Sequence, residues 1–202
     1  MAVGRRKMSV GDRAGAGGRR GGPRVLGGLG IVALALVALV ATRGCDEEAG
    51  RDVAPVTIDG HTFHLELALD DETRMKGLSF RESIAEDGGM LFVFPNAARR
   101  AFVMRDCLAD IDILFLDGAG RVVAMHHMPV EPPRDPQKGE GTFGGDNTSR
   151  QTYQYENRLK RYSSRFSAQV AIELRGGWLD KLNVKEGDRI RLDLSGLKKR
   201  AR

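Results

Sequence analysis

Short stretches in which hydrophobic and polar residues alternate dominate the chain from residue 56 onward. Residues 56–58 and 63–67 alternate on either side of Asp59-Gly60, a dipeptide suited to the positive φ angles of a type I′ turn. Successive side chains of a strand point to opposite faces, so each strand of this pair has one apolar face to bury. The pattern predicts a β-hairpin at the start of the folded region.

Two continuous apolar runs predict central strands. The run at 90–94 is expected to end at Pro95, because proline interrupts the hydrogen bonding of a central strand. The run at 111–116 stops at a turn-rich segment and resumes at 121–125. This second arrangement predicts another hairpin.

Helical signals are shorter and fewer than strand signals. Asp70 can cap a brief helix, and apolar residues recur at helical spacing from Tyr155 to Phe166. Residues 178–182 predict a helical turn, whereas 170–174 and 190–194 predict strands. The whole pattern predicts a mainly β fold, a compact antiparallel sandwich or barrel with two or three short helices.

Residues 25–41 form an apolar run of 17 residues without a charge. A helix of this length is roughly 25 Å long and falls within the range of membrane-spanning segments. The Gly- and Arg-rich residues 1–24 predict a disordered basic segment on the cytoplasmic side. We therefore expect a transmembrane signal anchor at 25–41, a polar linker at 46–55 and a domain on the extracytoplasmic side of the cytoplasmic membrane.

Two other fates of the apolar segment stay open. Cleavage before Cys45 with lipidation gives a lipoprotein, although Thr42 and Arg43 differ from the residues usual at such a site. Ordinary signal-peptide cleavage near Cys45 gives a secreted protein, and Thr42 and Gly44 are small enough to allow it. In every case the β-domain is expected at 56–195, followed by a basic tail at 196–202.

Charge is unevenly distributed along the chain, whose formal net charge is +5. Eight basic residues and one acidic residue lie in 1–43, and four basic residues lie in the tail. The domain between them is acidic, which argues against a nucleic-acid partner bound to a basic face. The two cysteines, Cys45 and Cys107, are too few for a disulfide-rich scaffold and are not in a CxxC pair.

Several motifs in a fixed order resemble one protein family. They are Gly77-Leu78 followed by Arg81-Glu82, GGMLFVF at 88–94, FVMRDCLADIDILFLD at 102–117, IELRGG at 172–177 and EGDRI at 186–190. The chain resembles the domain of unknown function 192 family over roughly 56–194. This resemblance implies a compact jelly-roll-like β-sandwich behind a signal or membrane segment, and it implies no established reaction.

The chain departs from that family pattern in ways that affect any pocket. Ser79, Val103, Asp106-Cys107 and Asp110 stand where the family usually has other residues. The segment 133–160 is longer than the corresponding family loop. A pocket built on these side chains is expected to differ from those of other members.

The acidic and histidine pairs give weak signals for chemistry. His126 and His127 point to opposite faces if they share a strand, and the spacing of His61 and His64 has the same effect. We expect no metal site and no cofactor. Asp110 and Asp112 share a strand face at roughly 6.6 Å, so one interpretation is a carboxylate pair that acts as acid and base or holds Ca²⁺. In the other interpretation Asp110 ends a turn, and Asp112 caps backbone amides or pairs with an arginine.

Two groups of residues are the candidate site. Arg81, Asp112 and Glu173 are charged positions within the family motifs, and they either brace the fold or face a ligand. An apolar group either fills the core or forms a ligand rim; its members are Met90, Met104 and Trp178.

The sequence favours a non-catalytic, membrane-tethered β-domain that binds an envelope ligand or protein. The alternative is an envelope hydrolase or carbohydrate-active enzyme that uses Asp112 with Asp110 or Glu173 as paired carboxylates. The sequence contains no GxSxG motif, and Cys107 lies in an apolar context typical of an inert thiol. These observations favour the binding domain.

Overall fold

The computed structural model describes residues 52–202, which contain one six-stranded sheet and three short helices. The strands are β1 (Val53–Ile58), β2 (His61–Ala68), β3 (Gly88–Phe102), β4 (Ile111–Leu116), β5 (Val122–Met128) and β6 (Tyr162–Arg175). The helices are α1 (Asp71–Lys76), α2 (Ser149–Arg158) and α3 (Leu194–Arg200), and Pro136–Lys138 form a 3₁₀ turn. The expected mainly β class with short helices is confirmed.

The strand order across the sheet is β1-β2-β3-β6-β4-β5. Four of the five neighbouring pairs are antiparallel, as expected, and β2 runs parallel to β3. The parallel pair is possible because the chain crosses between these strands through α1 rather than through a tight turn. In the described region the sheet is therefore mixed, and it is not closed into a barrel.

The first hairpin is confirmed, whereas the predicted end of β3 at Pro95 is wrong. Asp59 and Gly60 have φ angles of 48° and 80°, both positive as a type I′ turn requires. The register between β3 and β6 shifts between Val93 and Ala98, so Pro95 lies in an irregular part of the ladder. Proline is tolerated there because no regular ladder bond needs its nitrogen.

The helix predicted from Tyr155 to Phe166 is correct only in its first part. α2 ends at Arg158, and Tyr162 begins β6. Phe166 is 64% exposed, so it does not continue the buried side of the helix. The apolar residues from Tyr155 to Phe166 are spaced like one face of a helix, but they lie on both sides of the point where α2 ends and β6 begins. Their helical spacing is therefore a coincidence.

The predicted strand at 190–194 is wrong. Arg189 makes an isolated bridge to Arg121, and Leu194 already begins α3. Residues of the expected basic tail are helical up to Arg200, and Leu197 packs against the core. After the bridge, the backbone nitrogen of Ile190 donates to the carbonyl of Gly120, and that of Leu194 donates to the carbonyl of Leu192 in a tight turn that leads into α3.

Both faces of the sheet carry a hydrophobic core, because neighbouring residues of the central strands point to opposite sides. The back face is lined by Leu91, Val93, Leu114, Ile172 and Leu174 and is covered by Trp178, Leu182 and Leu194. The front face is lined by Met90, Phe92, Ile113, Phe115 and Ala171 and is covered by Leu78, Met104 and Cys107.

Two arginine–carboxylate pairs organise the segment 133–160, and one of them joins it to the loop after β3. Arg134 makes a bidentate pair with Asp106 at 2.8 Å, and each side chain of this pair is only 4% exposed. Arg158 makes a bidentate pair with Glu140, and both guanidinium groups lie over the ring of Tyr155. These contacts fix α2 beside the loop that connects β3 to β4.

The predicted anchor at 25–41, the basic segment at 1–24 and Cys45 lie outside the described residues. β1 begins at Val53, inside the stretch expected to be a linker. Within residues 52–202, none of the helices has the length and apolar character needed to cross a membrane.

Candidate functional site

A cleft of about 440 Å³ opens on the front face of the sheet. One side is formed by α1 and the loop after it, and the other by the end of β3 and the loop that follows. Gly77, which ends α1, has a φ of 51° and lies on this border. Its ψ of −138° is disfavoured for other residues, so glycine allows the sharp exit of the chain beside the cleft.

The charges around the cleft are strongly unbalanced. Its cationic residues are Arg74, Lys76, Arg99, Arg100, Arg105 and Arg161, and its acidic residues are Asp71, Glu156 and Glu173. Arg74 pairs with Asp71 at 2.7 Å, and Arg105 pairs with Glu156 at 2.6 Å. The other four cations have no carboxylate partner among the residues that the structure describes.

Two arginines share one aromatic ring at the cleft wall. The guanidinium carbon of Arg100 lies 4.0 Å from the ring centroid of Phe94, and that of Arg74 lies 5.3 Å away. Burial and the neighbouring Arg74 both lower the pKa of Arg100. Within residues 52–202, Nε of Arg100 is buried without a hydrogen-bond partner. This concentration of positive charge favours binding of an anion.

Arg99 and Arg161 are exposed on the same cleft. The structure gives neither side chain a hydrogen bond or an ion pair within the described part of the chain. An arginine with five unused donors can bind a carboxylate or phosphate without first breaking an internal contact. These two side chains are therefore available to a ligand.

Glu173 lies at the base of the cleft, on β6. Burial raises its pKa to about 8, and nearby Arg81 partly opposes this shift. Glu173 is therefore mostly protonated at neutral pH and places no full negative charge beside the arginines. A neutral carboxyl group can also donate a hydrogen bond.

Arg81 is paired with another residue of the front face. Its guanidinium makes a bidentate salt bridge with Glu66 on β2, and the Nη2–Oε2 distance is 2.6 Å. Glu66 is opposite Met90 in the sheet, and Met90 is opposite Glu173. The structure thus places Arg81, Glu66 and Glu173 on one face of the sheet, with Met90 between the two glutamates.

Asp112 lies on the back face, separated from Arg81 and Glu173 by the sheet. It is 1% exposed and accepts a hydrogen bond from the backbone nitrogen of Leu179 at 2.8 Å. Its other oxygen lies 2.7 Å from Nδ1 of His127. Asp112 therefore anchors the turn after β6, and the three charged positions predicted from the sequence do not form one cluster.

Asp110 and Asp112 accept hydrogen bonds from different parts of the chain. Asp110 lies just before β4 and accepts a hydrogen bond from the backbone nitrogen of Val130 at 2.7 Å. Each carboxylate therefore has its own structural partner. Within the described region, no three histidine, cysteine or acidic side chains are grouped as a metal site.

The candidate apolar rim is divided between the two cores. Met90 and Met104 are buried on the front face, whereas Trp178 is buried on the back face. The indole nitrogen of Trp178 donates to the carbonyl of Glu86 at 2.7 Å. All three side chains fill the interior of the domain.

Cys107 lines the cleft but has the properties of an inert thiol. Burial raises its pKa to about 12, and the nearby carboxyl groups of Glu173 and Asp106 add to the shift. A thiol with this pKa holds almost no thiolate at neutral pH, and the thiolate is the reactive form. Cys107 therefore supplies packing rather than a nucleophile.

A neighbouring hollow of about 640 Å³ lies on the other side of Gly77, around Glu66 and Arg81. Two ion pairs, Glu66–Arg81 and Arg200–Asp52, line this hollow together with charged residues of both signs, which are Asp70, Glu72, Lys76 and Arg202. The cationic cleft, in contrast, presents arginines without carboxylate partners. It is the stronger candidate for a ligand site.

The sequence analysis missed Arg99, Arg100 and Arg161. The adjacent pair Arg99-Arg100 was visible in the sequence, but the expected stop at Pro95 removed it from β3. Arg161 was placed inside a helix that the structure ends at Arg158. The cleft depends on the pairing of the far halves of β3 and β6, which residue patterns did not indicate.

We expect Glu173→Gln to become increasingly more stable than the parent protein as pH rises from about 5 to 8. Between the ordinary glutamate pKa of 4.5 and the folded value of about 8, only the folded parent retains this proton. The parent therefore loses stability as pH rises through this range, and glutamine does not titrate. Urea unfolding of both proteins at several pH values measures the difference; a constant difference would contradict the burial of Glu173.

Comparisons with known proteins give a family and two related folds. A model of the DUF192 family, described as "Uncharacterized ACR", matches residues 54–192. A solved structure from Sinorhizobium meliloti 1021, provisionally described as a transcription regulator, is 26% identical with a TM-score of 0.50. This match covers 69% of the present chain and 90% of that chain.

A second solved structure is of a protein of unknown function from Novosphingobium aromaticivorans DSM 12444. It is 22% identical with a TM-score of 0.55, and the match covers 73% of this chain and 90% of that one. This likeness concerns the fold alone. No curated protein matches the chain with significance.

Proposed function

We propose that this chain, which belongs to the domain of unknown function 192 family, is a non-catalytic binding domain that captures an anionic ligand in its cationic cleft. The domain is tethered to the cytoplasmic membrane through residues 25–41 and acts on the extracytoplasmic side. The observation that carries the binding role is the group of cleft cations without carboxylate partners, above all Arg99 and Arg161.

The charge of the cleft differs from the charge of the domain around it. The chain between its two basic ends is acidic in total, yet the cleft gathers six cationic residues on one side of one sheet. Like charges brought together raise the energy of the folded protein. Burial is the main cause of the lowered pKa of Arg100, and the neighbouring Arg74 adds to it. A bound anion relieves this repulsion and gives the arrangement a function.

The carboxylates give less support to the alternative of an envelope hydrolase. Glu173 and Asp112 lie on opposite faces of the sheet, and Asp112 is occupied by Leu179 and His127. Glycoside hydrolysis needs two carboxyl groups that face the same bond. The described residues do not supply that geometry in the cleft, which supports a binding role.

We expect Arg99→Ala and Arg161→Ala each to weaken anion binding by about 10-fold or more, the usual effect of losing a hydrogen bond to a charged group. Neither change leaves an internal partner unpaired, so the melting temperature should stay nearly unchanged. Calorimetry with inorganic phosphate and with citrate, on the full chain in nanodiscs of zwitterionic lipid at low salt, measures the affinity.

Arg191→Ala is the matched control, because Arg191 is also an exposed arginine but lies outside the cleft. The control should bind both anions like the parent protein. The proposal is wrong if neither anion binds the parent, or if all three arginine variants lose affinity equally.

A further inference from the structure

The cleft contains a partly open apolar surface between its cationic groups. Phe94, Phe102 and Val103 are only half-buried there, and Phe92 lies beneath them. The rings of Phe92 and Phe102 meet edge to face with their centroids 5.0 Å apart. A ligand for this cleft must cover apolar surface as well as neutralise charge.

Arginines lie on more than one side of the apolar surface. Arg99 and Phe102 are separated by three residues along β3, roughly 10 Å. Phe102 is opposite Tyr162, and Arg161 immediately precedes Tyr162 at the far end. Phe102 therefore lies between two cationic positions, whereas Phe94 lies on the other side of Arg99 and contacts Arg100 and Arg74.

The size and base of the cleft exclude a bare inorganic ion as the best-fitting ligand. A volume of about 440 Å³ is in the range of sites for small organic molecules. The protonated carboxyl group of Glu173 at the base can donate a hydrogen bond to a neutral oxygen of such a molecule. An inorganic anion bound by the exposed arginines would leave the half-buried phenylalanines uncovered.

We propose that the ligand is a small organic anion with an apolar body, whose acidic group binds Arg99, Arg100 or Arg161 while its body covers Phe102 and Val103. This inference rests on the proposed anion-binding function and specifies its ligand class. The same chemistry occurs in the head region of an anionic lipid and in a soluble amphiphilic phosphate or carboxylate.

The test compares inorganic phosphate, hexyl phosphate and hexanol by calorimetry on the full chain in nanodiscs of zwitterionic lipid. Empty nanodiscs of the same lipid provide the baseline for partition into the bilayer. Each methylene buried against the phenylalanines should strengthen binding about fourfold. Hexyl phosphate should therefore bind at least about 30-fold more tightly than inorganic phosphate, and hexanol should bind far more weakly.

Two variants test separately how the acidic group and the apolar body of the ligand contribute to affinity. Arg99→Ala should weaken both phosphates by the same factor, whereas Val103→Asn should weaken hexyl phosphate several-fold and leave inorganic phosphate unchanged. Val130→Asn is the control, because Val130 is 43% exposed and lies outside the cleft. Its affinity for hexyl phosphate should equal that of the parent protein.

The outcomes distinguish this inference from the function on which it rests. Equal affinity for the two phosphates overturns the apolar-body inference and leaves anion binding in place, whereas no binding of either overturns both. If the parent protein is retained on phosphatidic acid vesicles and the Arg99→Ala variant is not, the result supports the inference and indicates that the ligand is a lipid. If hexyl phosphate binds tightly and the protein is not retained on the vesicles, the result supports the inference and indicates that the ligand is a soluble molecule.

Discussion

Gly89→Ala is expected to destabilise the domain by more than about 4 kcal/mol, which is a large part of the stability of a typical domain. A Cβ at this position would lie 2.1 Å from the backbone carbonyl oxygen of Glu173, and the φ of 152° is unfavourable for alanine. Gly89 is paired with Leu65 and Leu174, so relief of the clash requires separation of central strands. Urea unfolding measures the loss.

Gly60→Ala is the matched control for this prediction. Gly60 also has a positive φ, 80°, but no atom lies within 4 Å of an added Cβ. The control therefore carries only the backbone strain, about 1–2 kcal/mol. If the two alanine variants lost the same stability, close approach of β3 and β6 at Gly89 would not be the reason for glycine there.

Local signals in the sequence were sufficient where a few neighbouring residues determine the structure. The Asp59-Gly60 turn has the two positive φ angles that its residues favour, and Asp70 caps α1 by accepting from the backbone nitrogen of Thr73. The turn after 111–116 likewise produced the β4–β5 hairpin. These elements depend on short-range backbone geometry, which residue type largely decides.

Residue patterns gave wrong predictions where contacts between distant parts of the chain determine the structure. Pro95 did not end β3, because the irregular register with β6 accommodates it. Helical spacing from Tyr155 to Phe166 crossed the start of β6, whose pairing with β3 outweighs local preference. The parallel pairing of β2 with β3 was also invisible, since no sequence pattern specifies which strands become neighbours.

The candidate site was predicted in part for the same reason. Arg81 and Glu173 were identified as charged residues beside core positions, and they do lie on one face of the sheet. Asp112 was assigned to the same group, but strand pairing places it on the opposite face beside Leu179. Arg99 and Arg100 lie in the second half of β3 and Arg161 lies just before β6, and only the tertiary structure brings them together.

Phe115→Ala is expected to cost about 3–5 kcal/mol of unfolding free energy, the usual range for emptying a buried aromatic site. Phe115 is 0% exposed in β4, and its ring packs edge to face with Phe102 at a centroid distance of 5.4 Å. Phe102 in turn contacts Phe92, so the cavity would also loosen the wall of the cleft. Calorimetric unfolding of the variant measures the cost.

Phe166→Ala is the matched control, because it removes the same atoms from a ring that is 64% exposed. Surface changes of this kind usually alter stability by less than about 0.5 kcal/mol. Phe115→Ala should also weaken hexyl phosphate binding more than inorganic phosphate binding, since Phe102 loses its support. If both alanine variants unfolded like the parent protein, Phe115 would not be part of the front core, and the cleft wall would need another support.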